Sequence, residues 1–315
     1  MKTLFALAVG ALLAAGTASA QESRMDITAD TKISAVIADP DFGSFGRLLF
    51  PANGGYWSGE TLGSLRLTWY SHVNAEKTAE IVRTLKNRAA DGEQIFFDIY
   101  TEAEKKADPA KRDTGLFFFR GKPGGKVAVC CAGGGFVYVG AMHDSFPHAL
   151  ELSKKGYNAF ALIYRPGWDT AMEDLARAIG FIFEHSQELH VDTDCYSLWG
   201  GSAGARMAAS LGSYGTAAFG GEAYPRAGAV VMQYTGHSEW RRGDPPTFVC
   251  VGDRDGIADW RTMKRRTDAM SAAGIPTEFH VYGGLGHGFG LGQGTSAEGW
   301  LDLAVRFWER QMVEK

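Results

Sequence analysis

The chain has little cysteine. Four occur in 315 residues: Cys130, Cys131, Cys195 and Cys250. There is no C-x-x-C pair, which argues against zinc-ribbon and thioredoxin-like redox patterns. Two of the apolar runs that carry them, "KVAVCCAG" and "TFVCVG", read as strands. Adjacent strand residues point to opposite faces, so a Cys130–Cys131 bridge would break its strand. Four buried thiols are expected instead, with no metal site. Charge of one sign is equally scarce. Lys and Arg number 32 against 36 Asp and Glu, for a net charge of −4 with both signs mixed. Without a basic stripe or a block of like charge, nucleic acid is a poor partner. Beyond the first twenty residues no stretch is long and apolar enough for a transmembrane helix. Internal repeats and low-complexity segments are absent as well.

What is present begins with "MKTLFALAVGALLAAGTASA". Lys2 gives a positive start, Leu4 to Ala15 an apolar run, and Ala18-Ser19-Ala20 a small-residue end. That reads as a secretory signal peptide over 1–20, cut before Gln21. The apolar run is short for a membrane anchor, and no cysteine follows it to take a lipid. A secreted or periplasmic chain with no membrane anchor after cleavage is expected.

Residues 21–90 read as an N-terminal lead-in or cap segment, rich in glycine and aromatics up to Tyr70. Within it, Asn74 caps a predicted helix with Thr78, Ile81, Val82 and Leu85 on one face. A catalytic domain is expected over 91–315, and from residue 94 strands and helices alternate. "QIFFDIYT" and "TGLFFFRG" are predicted as an antiparallel start. Then come "KVAVCCAG", a helix over 145–155, "NAFALIYR", and a helix after Asp169. "CYSLWGG", a small-residue helix, "GAVVMQYTG" and "PTFVCVGD" follow. A helix over 259–273, "TEFHVYGG" and a last helix over about 296–312 close the pattern. Such alternation predicts an α/β fold, a mostly parallel central sheet with helices on both faces. Its ligand site belongs beyond the carboxyl ends of the strands.

Four pieces of chemistry lie at such ends. Gly200-Gly201-Ser202-Ala203-Gly204 is a G-x-S-x-G between a strand and a helix. That setting presents a serine on a strained turn, with the helix N-terminus behind it. Gly133, Gly134 and Gly135 directly follow a buried strand. They suit an oxyanion hole with donors from Gly134, Gly135 and Ala203, because a tetrahedral oxyanion needs unobstructed N–H groups. "FVCVGDRDGIADW" offers three acids. G-x-x-D favours Asp255, Asp253 is the reserve, and Asp259 reads as a helix N-cap. His287 in "GGLGHGFG" completes the order Ser, Asp, His.

With these motifs on the page, residues 94–312 resemble an α/β-hydrolase, more narrowly the acetyl-xylan and feruloyl esterase-like group. The shared segments are Ala132 to Phe136, Gly200 to Gly204 and Gly286 to Phe289, with "IYRPG" at 163–167. Ala132 departs from the usual proline or histidine of that loop. Arg206 departs from the usual glycine, histidine or asparagine, and is read first as pairing with a surface acid. The resemblance implies a serine esterase for short-chain carboxylic esters, with acetyl groups on carbohydrate as one substrate class and no cofactor. A peptidase or lipase of the same fold, and a non-catalytic binding protein, are the alternatives. Phe136, Tyr138, His143 and His237 are the candidate substrate contacts, with Asp144 beside them. His143 has a second reading as a loop histidine paired with Asp144. Tyr56 and Trp57 are candidates to cover the cleft.

Overall fold

The computed structural model describes residues 26–313. The expected signal peptide over 1–20 lies outside the described residues.

The N-terminal segment contains α1 (Ile33–Ile37), then two short strands, β1 (Trp57–Ser58) and β2 (Arg66–Leu67), paired antiparallel. The helix α2 (Ala75–Ala90) follows. Asn74 caps it by accepting from the Lys77 N–H, and Thr78, Ile81, Val82 and Leu85 are buried on one face. That face packs against the α5 region of the main body. The segment therefore shares the core of the rest of the chain.

The remaining elements are β3 (Phe96–Phe97), α3 (Glu102–Ala107), β4 (Gly115–Phe119) and β5 (Lys126–Cys131). Then come α4 (Ala141–Asp144), α5 (Phe146–Lys154), β6 (Asn158–Ile163) and α6 (Trp168–Glu184). The chain continues through α7 (Ser186–Leu189), β7 (Asp192–Gly201), α8 (Ala203–Tyr214), β8 (Ala229–Gln233) and β9 (Thr247–Gly252). It ends with α9 (Trp260–Ala272), β10 (Thr277–Tyr282) and α10 (Trp300–Val313).

Strands β3 to β10 form one sheet in the order β10-β9-β8-β7-β5-β6-β4-β3. Every pair from β10 to β6 is parallel, while β4 pairs antiparallel with β6 and with β3. The antiparallel start predicted from the two Phe-rich runs is present, but "QIFFDIYT" keeps only Phe96 and Phe97 in the ladder. Strands β4, β6, β8 and β9 are buried at every residue, as their unbroken apolar runs require. The helix α8 packs on β5, β7 and β8, and α10 on β7, β8 and β9. All four cysteines are buried, and no disulfide joins described residues.

The order of strands matters most around β5. The chain leaves β5 for β6 on one side, then returns to β7 on the other. The loops after β5 and β7 therefore diverge at a topological switch point, which opens a crevice between them. Gly133 to Gly135 follow β5, and Ser202 follows β7.

Candidate active site

Ser202 sits between β7 and α8 at φ 52°, ψ −117°. This conformation costs a non-glycine residue about 1–3 kcal/mol. The surroundings hold it there. The Ser202 N–H donates to the Gln233 carbonyl at 3.0 Å. The strand and helix meet so closely that a Cβ on Gly204 would lie 2.0 Å from the Cys131 carbonyl oxygen. Only glycine permits that approach.

His287 and Asp255 converge on the serine from the other side. The Ser202 hydroxyl donates to His287 Nε2 at 2.9 Å, and His287 Nδ1 donates to Asp255 Oδ2 at 2.8 Å. The carboxylate fixes the tautomer, because it can only accept. Asp255 Oδ1 also accepts from the N–H groups of Ile257 and Ala258, at 2.8 Å each. The Asp255 side chain is fully buried and that of His287 is 8 % exposed. Asp253 is turned elsewhere, accepting from the Gly284 N–H at 2.6 Å. Asp259 caps α9 through the Arg261 N–H.

The glycine loop faces the same point. A Cβ on Gly133 would lie 2.7 Å from Cβ of Ser202. Gly134 and Gly135 adopt φ of 126° and 62°, and among the described residues their N–H groups meet no protein acceptor. The Gly133 N–H is already committed, donating to Asp144 Oδ2 at 2.5 Å.

Asp144 is the residue whose part in the site motif reasoning missed. It is buried, and its carboxylate also accepts from the hydroxyls of Tyr70, at 2.8 Å, and Tyr234. Burial pushes its carboxyl up to about 6, against the pull of these donors. Tyr234 in turn sets its ring edge against His287, with centroids 5.2 Å apart. One carboxylate thus ties the glycine loop to the histidine wall. Its partners lie 74 and 90 residues away in sequence, so no local pattern announces it.

The N-terminal segment braces both loops. The Ser71 N–H donates to the Gly288 carbonyl at 3.2 Å, and the Ser71 hydroxyl to the His287 carbonyl at 2.9 Å. Tyr56 and Trp69 stack on Tyr138. Trp57 instead stacks on Phe50, and neither Tyr56 nor Trp57 lines the cleft at Ser202 that they were expected to cover.

A cleft of about 280 Å³ opens at Ser202, lined among others by Phe136, Ala203, Arg206, Thr235, Ile257 and His287. Of the four expected substrate contacts, Phe136 alone is in this wall. Tyr138 is buried, with its hydroxyl donating to the Thr68 carbonyl, so it supports the loop from behind. His143 lines a different groove of about 380 Å³ with Ser71, His72 and Gly290. Successive helical residues point in different directions. Asp144 therefore reaches Gly133 while His143 turns away, and the two side chains do not pair. Burial holds the His143 imidazole down to about 4. His237 is also buried outside the cleft wall, held down to about 4 by burial and then by Arg266 and Arg206. Proximity to a motif in sequence misplaced all three. Arg206 has no acid partner among the described residues; its side chain is exposed in the cleft.

Known proteins share parts of this chain's sequence and its fold. Residues 120–234 match the BD-FAE family model, a stretch that includes the glycine loop and Ser202. Over 111 residues the chain is 30 % identical to Endo-1,4-beta-xylanase B of Butyrivibrio fibrisolvens. That match takes in 33 % of this chain but only 15 % of the xylanase. Among solved structures, the acetyl ester-xyloside bifunctional hydrolase of Caldicellulosiruptor lactoaceticus superposes with a TM-score of 0.60 at 20 % identity, covering 68 % of this chain and 95 % of that one. Propionate-bound Est2, an esterase of Thermogutta terrifontis, gives 0.55 at 22 %, covering 62 % and 89 %. MGS-M1, an alpha/beta hydrolase from a deep-sea metagenome, gives 0.55 at 22 %, covering 69 % and 96 %. The chain has the α/β-hydrolase fold.

Proposed function

We propose that this chain is a carboxylic ester hydrolase working through Ser202, His287 and Asp255, with short acyl groups, acetyl on carbohydrate among them, as its substrates. The observation that carries the reading is the unbroken hydrogen-bond chain from the Ser202 hydroxyl through His287 to the buried Asp255.

His287 Nε2 takes the Ser202 proton as Oγ attacks the ester carbonyl. Asp255 stabilises the imidazolium that forms, held in line by its two backbone donors. The carbonyl oxygen becomes an oxyanion and accepts from the N–H groups of Gly134, Gly135 and Ala203. Collapse breaks the bond to the alcohol, which leaves with the proton from His287. An acyl-serine remains. Water, deprotonated by the same imidazole, then releases the acid and restores the serine. Every proton is handled by side chains of this chain.

The cleft volume of about 280 Å³ and its mixed wall favour small acyl groups. The similarity to an acetyl ester-xyloside hydrolase supports a carbohydrate ester, and the expected signal peptide supports action outside the cytoplasm. The test is kcat/KM across 4-nitrophenyl acetate, butyrate, octanoate and palmitate. A steady fall beyond butyrate is expected, since a tight pocket discriminates by about 1–3 kcal/mol per methylene. A maximum at octanoate or palmitate would turn the reading to a lipase. Ser202→Ala and His287→Ala should each lower kcat by roughly 10⁴–10⁶ while the protein stays folded.

A further inference from the structure

Arg206 is placed where helix physics disfavours it. It is the fourth residue of α8, whose first turn holds no acid. A helix N-terminus carries partial positive charge, so a cation there is repelled. Here the described residues give Arg206 no ion pair and no hydrogen-bond acceptor, and its side chain is exposed. It also lines the cleft at Ser202, and no acid is among the residues of that wall. Four steps of helical rise place its Cα about 6 Å along the axis from that of Ser202, within reach of an Arg side chain.

The charged groups nearest it are already paired or neutral. Arg266, which like Arg206 acts on His237, is buried, donates to the Glu239 carbonyl at 2.8 Å and lies 3.7 Å from the buried Asp244. His237 senses both arginines and stays neutral. Asp244 is engaged with Arg266 and with the Arg241 N–H at 3.0 Å. The charge of Arg206 thus faces the cleft uncompensated, beside a serine whose ester would lie within its reach.

We infer that Arg206 recognises a carboxylate on the substrate, so that the preferred substrates are esters carrying a second, free carboxylate near the scissile bond. This rests on the ester-hydrolase reading and adds a charge to it. The guanidinium forms a planar, two-pronged contact that matches a carboxylate and no neutral ester group as well. The hydrolysis is unchanged: water adds across the ester and an acid and an alcohol result. The carboxylate belongs either to the alcohol or to the acyl part, and the two are separated by experiment.

The experiment measures kcat/KM of the full chain on two matched pairs. In the first, the acetyl ester of 4-hydroxybenzoate is compared with that of 4-hydroxybenzamide, so that the alcohol carries the charge. In the second, monophenyl glutarate is compared with phenyl pentanoate, so that the acyl group carries it. The expected result is a preference for the carboxylate in at least one pair, roughly tenfold for an exposed charge-assisted contact. The pair that shows it identifies the part that binds. That ratio should fall towards unity in Arg206→Gln, persist in part in Arg206→Lys and invert in Arg206→Glu. It should shrink in about 0.5 M salt, where charges are screened within a few ångströms. Equal rates within both pairs, or a preference that survives Arg206→Glu, would overturn the inference while leaving ester hydrolysis intact. No turnover of any of the four esters would overturn both readings together.

Discussion

Replacing Asp144 with Ala tests whether one buried carboxylate holds the catalytic loops in register. The substitution removes the acceptor of the Gly133 N–H, the Tyr70 hydroxyl and the Tyr234 hydroxyl at once. Hydrogen bonds to a charged group are each worth about 1.5–3 kcal/mol. Against this stands the cost of keeping the carboxylate ionised under burial. Burial raises its pKa from 3.8 to about 6 even with these donors in place, so part of what they contribute is offset by the cost of holding the charge. Three groups left without their buried acceptor, offset in part by relief of that burial, should destabilise the fold by about 2–5 kcal/mol at pH 7, read from urea unfolding. The effect on catalysis should be larger than stability alone explains. Gly133 would lose its anchor, and the neighbouring N–H groups would shift from the developing oxyanion. Loss of one such donor costs about 10²–10³ in kcat, read with 4-nitrophenyl acetate under conditions where the variant is folded. Asp144→Asn keeps the volume and one acceptor, so it should fall between the two in activity. An Ala variant that kept both its stability and its kcat would refute the reasoning.

Other outcomes follow from the same geometry. Asp255→Asn should cut kcat by about 10⁴, because an amide cannot hold the imidazolium or enforce its tautomer; Asp253→Asn should cost far less, since Asp253 only accepts from Gly284. Acid should destabilise the fold. His143, His148 and His237 are held down from 6.5 to about 4 by burial, so the unfolded chain binds protons first. Their stabilisation is complete above pH 6.5 and is lost as pH falls towards 4. Asp144 acts oppositely, gaining stability as pH falls from about 6 towards 3.8. Asp174, raised by burial, acts with Asp144; three histidines outweigh these two carboxyls, so the urea midpoint should drop between pH 6.5 and 4.5, and His148→Asn should flatten that slope. A midpoint that rises on acidification would contradict the burial argument.

Much of the fold and part of the site could be read from the sequence, for identifiable reasons. The strand-turn-helix around Ser202, the glycines after β5 and the cap at Asn74 are local patterns, and each is set by neighbours within a few residues. Ser202, Asp255 and His287 follow β7, β9 and β10, parallel strands of one sheet, so their carboxyl ends bring the three to the same side. The misplaced residues depend on contacts that are distant in sequence. Tyr138 is drawn inward by the Thr68 carbonyl, seventy residues earlier. His143 turns away because α4 is one helical turn, with Asp144 on its other side. The brace from Trp69 to Ser71 has no motif, since its value lies in carbonyls of the far loop that it meets. "QIFFDIYT" reads as a full strand because its apolar residues form a nearly continuous run; at the sheet edge only Phe96 and Phe97 join the ladder.

The central claim is that Ser202 is an activated nucleophile. It is tested most directly by treating the protein with a serine-directed fluorophosphonate and locating the adduct by peptide mass spectrometry. The account predicts one adduct, on Ser202, formed in parallel with loss of ester hydrolysis, abolished in Ser202→Ala and slowed severely in His287→Ala. An adduct on another serine, or equal labelling of the Ser202→Ala protein, would contradict it.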